Sequence, residues 1–319
     1  MIADTFTSPI ILFFALGMIA GFARSDLTIP EAVAKGLAIY LMAAIGLKGG
    51  VSVAASGYTP ELGLSAAAGV ALSFLLPVPA FLMLRSLGRL DRVNAAAVAA
   101  HYGSVSLVTF VVATELLKAG GLAVPGFMAA VLALMETPAI ITGLLLARHK
   151  ASRAEPTAAG SGLLHEVLLN GSVVLLVGSF VIGVIAGPDG FAPISPVFEG
   201  GYRGVLCLFL LDMGLIASRR LLNTRALSLP LAGLGVLLPM LNGTAGLLLG
   251  AALGLDAGTA ATLAILAASA SYIAVPAAMR LALPEADPGV YLSMSLGITF
   301  PFNVVLGIPL FAWLATLLI

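Results

Sequence analysis

Two short stretches set hydroxyl-bearing residues inside apolar sequence. One is Ala100-His-Tyr-Gly-Ser-Val-Ser-Leu-Val-Thr109, and its counterpart is Ala267-Ala-Ser-Ala-Ser-Tyr-Ile-Ala-Val-Pro276. Each holds a Ser-x-Ser, and Gly103 and Pro276 predict that both helices are interrupted there. An interrupted helix exposes unpaired N–H groups at the start of its second half, where the dipole favours an anion. Gly103, Ser104, Val105 and Ser106, with Ser269, Ala270, Ser271 and Tyr272, are therefore candidate ligands of a small oxyanion. Such a site needs no buried cation. Helix packing accounts for the same composition, since Gly, Ala and Ser line helix contacts in membranes.

A third stretch is Leu134-Met-Glu-Thr-Pro138, paired with Gly297-Ile-Thr-Phe-Pro301 and followed by Asn303. Glu136 sits mid-run, where a carboxylate costs roughly 2.5 to 3.5 kcal/mol on insertion scales and so points to function. Pro138 frees a backbone carbonyl one turn earlier. Carboxylate, hydroxyl and carbonyl oxygens together suit a bare alkali cation, with Glu136, Thr299 and Asn303 as the candidate ligands of sodium. A protonated glutamate bonded between helices, or a proton-carrying one, fits the same residues. Asp212, the other mid-run acid, reads as a gate or packing residue, and His101 as a helix-contact histidine.

The elements that hold these residues follow from composition. The 319 residues are 60% hydrophobic and 9% charged, with mean hydropathy +1.12. A soluble domain carries about 25% charged residues, so the surplus apolar surface must face lipid. The chain is predicted to be an all-α polytopic membrane protein, neither a soluble enzyme nor a nucleic-acid binder. Cys207 alone makes no disulfide. No Walker lysine motif, GxSxG or zinc-protease motif is present, so no enzyme and no organic cofactor are expected. Residues 1 to 8 lack Lys and Arg, and the first apolar run reads as a span rather than a removable signal.

Ten spans are expected, at roughly 7–23, 31–55, 62–86, 92–118, 124–148, 163–187, 197–219, 227–252, 256–283 and 288–318. The polar linker Arg148–Gly162 separates two halves, 1–155 and 156–319. With ten spans, Lys48, Lys118 and Arg203 fall on one side of the membrane and the other twelve of the fifteen cations on the other. The positive-inside rule then places the linker in the cytoplasm and both termini outside. The halves also align. Asp91 falls on Asp256 and Ser104-Val-Ser106 on Ser269-Ala-Ser271, both 165 residues on; Glu136-Thr-Pro138 falls on Thr299-Phe-Pro301, 163 residues on. Ile45-Gly-Leu47 falls on Met213-Gly-Leu215. A repeat of five spans is inverted relative to its copy, the arrangement of alternating-access transporters, in which two broken helices meet near the midplane.

The chain resembles the sodium-dependent bicarbonate transporter family known from cyanobacteria. The likeness rests on Ile45-Gly-Leu-Lys-Gly-Gly50, His101-Tyr-Gly-Ser-Val-Ser106, Met135-Glu-Thr-Pro-Ala139, Ser269-Ala-Ser-Tyr-Ile-Ala-Val-Pro-Ala-Ala-Met-Arg280 and Leu296-Gly-Ile-Thr-Phe-Pro-Phe-Asn303. The resemblance implies inverted repeats arranged as a core (61–148 plus 227–319) and a gate (1–60 plus 163–226). It also implies sodium-driven symport of bicarbonate across the inner membrane, with the anion at the crossing of the broken helices, and a homotrimer. Two features depart from the family. The linker Arg148–Gly162 is shorter than the one tied to a PII-like regulator, which argues against that partner. Glu136 stands where the family often has Asp, which leaves the coupling ion open. Transport of another small carboxylate, or passive anion flux through a channel, are the rival readings.

The orientation has a direct check. A cysteine placed in the Arg148–Gly162 linker, in a Cys207→Ser background, should resist membrane-impermeant thiol reagents in intact cells. Rapid labelling from outside would reverse the assignment.

Overall fold

The computed structural model describes residues 7–57, 59–147, 171–223 and 227–319, and among these the structure is helical with no strand. The linker Arg148–Gly162, Arg225 and residues 163–170 of the expected sixth span lie outside the described residues. The helices are α1 (Pro9–Phe22), α2 (Glu31–Ser56), α3 (Pro60–Leu75), α4 (Pro77–Ser86), α5 (Arg92–Gly103), α6 (Leu107–Ala119), α7 (Met128–Glu136) and α8 (Pro138–Ala147). Then come α9 (Gly171–Phe191), α10 (Tyr202–Asn223), α11 (Leu229–Ala252), α12 (Ala257–Ala268), α13 (Ala274–Ala282) and α14, the composite helix Pro288–Leu318.

Among the described residues, seven segments are long and apolar enough to cross a membrane: Glu31–Ala55, Pro60–Ser86, Arg92–Ala119, Met128–Ala147, Val174–Ile194, Leu229–Ala252 and Pro288–Leu318. The other expected spans are helical but depart from the expected form. α1 has only 14 residues. α10 carries Arg203, Asp212, Arg219 and Arg220, and starts later than expected because Pro193, Pro196, Gly200 and Gly201 break the approach into short irregular turns. The expected span 256–283 is two short helices, α12 and α13. α9 is kinked near its end, where Gly187 adopts φ 61° before Pro188. Within α14, wide turns at Ser293–Thr299 and Asn303–Gly307 flank Pro301, which supplies no N–H.

Large apolar side chains such as Ile19, Leu75, Leu82, Ile185 and Leu317 are exposed, which suits a lipid-facing surface. The interior is α5, α6 and α12, whose residues are almost all buried. α5 and α12 are each 12 residues long, and each starts at an aspartate cap. Asp91 Oδ1 accepts from the N–H groups of Val93 and Asn94 at 2.9 and 3.0 Å; Asp256 Oδ1 accepts from Gly258 and Thr259 at 3.0 and 3.1 Å. Burial pushes the Asp91 carboxyl up, but its hydrogen bonds with Asn94 and Val93 outweigh this and hold its pKa below the ordinary value.

α2 packs along α9 with almost no gap. A Cβ built on Gly50 would stand 2.0 Å from the carbonyl oxygen of Phe180, and one on Gly183 would stand 2.3 Å from that of Leu47. Backbone cannot retreat as a side-chain tip can, so a larger residue must push the helices apart. Gly50→Val should lower the thermal midpoint of the purified protein by several degrees, in line with roughly 1–3 kcal/mol for overpacking. Gly178→Ala, on α9 with open space around it, should leave the midpoint unchanged. Equal midpoints for Gly50→Val and wild type would disprove the seam.

Candidate functional site

The chain from α5 to α6, and from α12 to α13, is interrupted where the Ser-x-Ser pairs predict. In each break the first serine spends its hydroxyl on a backbone carbonyl. Ser104 Oγ donates to Glu136 O at 3.1 Å, and Ser269 Oγ donates to Leu266 O at 2.7 Å. The second serine caps the next half-helix. Ser106 Oγ accepts from the Thr109 N–H at 3.2 Å, and Ser271 Oγ accepts from the Val275 N–H at 3.4 Å.

The breaks also bond to each other. The Ser106 N–H donates to Ser269 Oγ at 2.9 Å, and the Ser271 N–H donates to the carbonyl of His101 at 2.9 Å. Groups freed by interrupting one helix are therefore satisfied by the other. Around this crossing lies a narrow pocket lined by Val105, Ser106, Leu107, Glu136, Ser271, Tyr272, Ile273 and Ala274. It receives the first residues of both α6 and α13, so two half-helix N-termini face one space. That arrangement favours negative charge.

Four of the eight candidate anion ligands line the pocket: Val105, Ser106, Ser271 and Tyr272. The other four act around it. Ser104 and Ser269 make the carbonyl bonds above, and Ala270 is buried beside them. Gly103 is packed so closely that a Cβ would stand 2.3 Å from Pro77 Cγ. The Tyr272 hydroxyl is buried near Ser106 and meets no hydrogen-bond partner in good geometry among the described residues, and its ring meets Phe300 edge-on at 5.5 Å. Phe300 in turn packs edge-on against Phe14 of α1 at 5.4 Å. Leu107, Ile273 and Ala274 carry no chemical signal in sequence and stand outside the expected lining.

Glu136 is 6% exposed, lines the pocket, and has a carboxyl oxygen without a partner among the described residues. Thr299 and Asn303 make their bonds elsewhere. Tyr102 and Thr299 join hydroxyls at 2.6 Å, and Thr299 Oγ1 donates to Gly235 O at 2.6 Å. Asn303 Nδ2 donates to Ala268 O at 2.8 Å, while its Oδ1 is buried and unpartnered among the described residues. No hydrogen bond joins Glu136 to either residue among those described. Nor do three His, Cys, Asp or Glu side chains gather there as a metal cluster. His101 binds Ala97 O through Nδ1 at 2.7 Å and stacks on Tyr291 at 4.5 Å.

Sequence reasoning misses Ser73. Between α7 and α8 the helix opens at Thr137, and the Ile140 N–H turns to Thr137 O at 3.1 Å. The Ser73 hydroxyl fills the opening, donating to Met135 O at 2.7 Å and accepting from the Ala139 N–H at 3.2 Å. One of several serines in an Ala-rich span, Ser73 gives no signal of this. The bridge holds the turn that carries Glu136. Ser73→Ala leaves two buried backbone groups unpaired, at about 1–3 kcal/mol each, unless the helix closes. The thermal midpoint should fall clearly, and an unchanged midpoint would show that the bridge carries nothing.

A search of curated proteins finds no match to the chain. The family comparison does, and it covers nearly the whole chain: the model of the Na+-dependent bicarbonate transporter superfamily matches residues 9–316. The helical architecture and the apolar exposed surface agree with it, and the chain belongs to the Na+-dependent bicarbonate transporter superfamily.

Proposed function

We propose that the chain is a symporter that imports bicarbonate with sodium by alternating access, with the anion at the crossing of the two breaks. The observation that carries this reading is the pocket between the N-termini of α6 and α13, with Glu136 in its wall. Ten spans form two inverted five-helix repeats, 1–155 and 156–319. The equal lengths of α5 and α12 and their aspartate caps support the duplication. A core of 61–148 plus 227–319 moves against a gate of 1–60 plus 163–226. The cation asymmetry supports a linker in the cytoplasm and termini outside, in the inner membrane.

The bound anion meets the half-helix dipoles, the hydroxyls of Ser106 and Ser271, and the hydroxyl of Tyr272. An ionised Glu136 opposes it. Two like charges about 4 Å apart at an effective dielectric of 20 repel by about 4 kcal/mol, close to a thousandfold in affinity. A sodium ion on the free Glu136 oxygen removes that repulsion, so anion and cation bind as a pair. By linkage each tightens the other by the same factor. Asn303 Oδ1 is the second oxygen open to a cation, whereas Thr299 is committed to Tyr102 and Gly235 and braces the site.

Labelled bicarbonate uptake into proteoliposomes, with and without an inward sodium gradient, tests the reading. Uptake should require sodium. Glu136→Gln should abolish most of the sodium dependence, and Ser106→Ala with Ser271→Ala should raise the half-saturating bicarbonate roughly ten- to hundredfold, the loss of charge-assisted hydrogen bonds. Uptake indifferent to sodium marks a channel. Uptake that follows external pH marks Glu136 as a proton site, and preference for an organic acid replaces the substrate.

A further inference from the structure

Lys48 lies inside the span Glu31–Ala55, half-buried, and has no carboxylate within ion-pair distance among the described residues. Its ammonium stands 4.0 Å from the centroid of the buried Tyr202 ring. A ring face only partly replaces the water that an ammonium loses. The nearby acid is already taken: Glu115 Oε2 accepts from Arg203 Nε at 2.7 Å, with the Glu115 side chain 8% exposed and that of Arg203 72%. Lys118, one turn beyond Glu115 on α6, and Arg203 are near enough to repel Lys48, while Glu115 and Glu199 attract it. Three cations thus face two carboxylates, which leaves one positive charge uncompensated. The terminal amino groups of Arg203 have no acceptor among the described residues, and their planar fork matches two oxygens of a planar anion.

We propose that Lys48, Lys118 and Arg203 form a capture site for one small monovalent oxyanion, built from α2, α6 and α10. The charge deficit sets its valence, and the guanidinium fork favours an oxyanion over a spherical halide. Glu115 lies nine residues along α6 from Ser106, about 13 Å at 1.5 Å per residue, so the site stands at the far end of the helix whose start faces the pocket. The three residues are also those that the charge asymmetry puts outside. An anion attracted here is concentrated at the outer mouth, where a net positive charge raises capture rates. Its place on the transport path rests on the symporter reading; its binding of an anion does not.

Two experiments separate the claims. Purified protein carrying Ser106→Ala and Ser271→Ala, which disables the pocket, is titrated with sodium formate in detergent at low ionic strength. The thermal midpoint should rise saturably, lose that rise in Lys48→Gln and keep it in Lys48→Arg. In proteoliposomes, Lys48→Gln should raise the half-saturating external bicarbonate roughly three- to tenfold with maximal rate within about twofold, an effect that fades as salt screens the charges. The exposed Lys118→Gln should act in the same direction, more weakly, and decides the matter should Lys48→Gln fail to fold. A formate response that survives Lys48→Gln, or equal loss in Lys48→Gln and Lys48→Arg, overturns the capture site. Absence of bicarbonate uptake by the wild type overturns the symporter reading alone, and the formate titration still decides the site.

Discussion

A helix interrupted inside an apolar bundle leaves N–H and C=O groups that no lipid can satisfy, and the rest of this structure answers that constraint. Two interruptions lie side by side, and each supplies what the other lacks. The Ser106 N–H finds Ser269 Oγ, and the His101 carbonyl finds the Ser271 N–H. Serines at the first and second positions divide the work: the first donates to a backbone carbonyl, that of Glu136 on α7 or of Leu266 on α12, and the second accepts from an N–H in the first turn of the next half-helix. Once these groups are paired, what stays open is the first turn of α6 and of α13. The pocket forms where both open turns meet.

The surrounding helices hold the breaks in register by close approach. α2 and α9 meet backbone to backbone at Gly50 and Gly183, and α1 meets α10 in the same way at Gly17 and Gly214. Helices that touch along their backbones have little freedom to rotate, which suits elements that move as a body. The turn that carries Glu136 is held differently, by a hydroxyl from α3 inserted into the helix. Packing sets the positions of the rods, and serine hydroxyls set the places where the rods bend.

Much of this architecture is legible in the amino-acid sequence. Composition marks the all-helical membrane class, Ser-x-Ser beside Gly103 and Pro276 marks the breaks, and mid-run Glu136 marks the acidic wall of the pocket. Those signals are strong because a polar residue inside an apolar run is costly and so seldom accidental. The helix ends are less legible. The start of α10 and the kink of α9 depend on Pro and Gly acting together over several residues. Side-chain partners are not legible at all. Ser73 reads like any small residue, and nothing in the sequence tells Ser104, which binds a carbonyl, from Ser106, which faces the pocket. Thr299 matches Glu136 by repeat position, yet its hydroxyl is spent on Tyr102 and Gly235, because equivalent positions on two copies need not share neighbours.

In the proposed symport, the choice of neutral donors in the pocket bears on how the anion is let go. A fixed arginine would hold a small anion whether or not the cation was present, and release on the far side would be slow. Half-helix N-termini and hydroxyls bind more weakly, so the anion's affinity depends on whatever neutralises Glu136. In the proposed cycle the cation therefore sets the anion's residence: when sodium leaves toward the low-sodium side, the carboxylate is bare again and repels its neighbour. Permanent cations belong where an anion must be gathered rather than released, at the end of α6, where Lys118 and Arg203 are exposed to solvent and Lys48 is half-buried behind them. In the proposed reading, neutral donors at the crossing release the anion and fixed charges gather it, and α6 joins the two, beginning beside the pocket and ending just past Lys118.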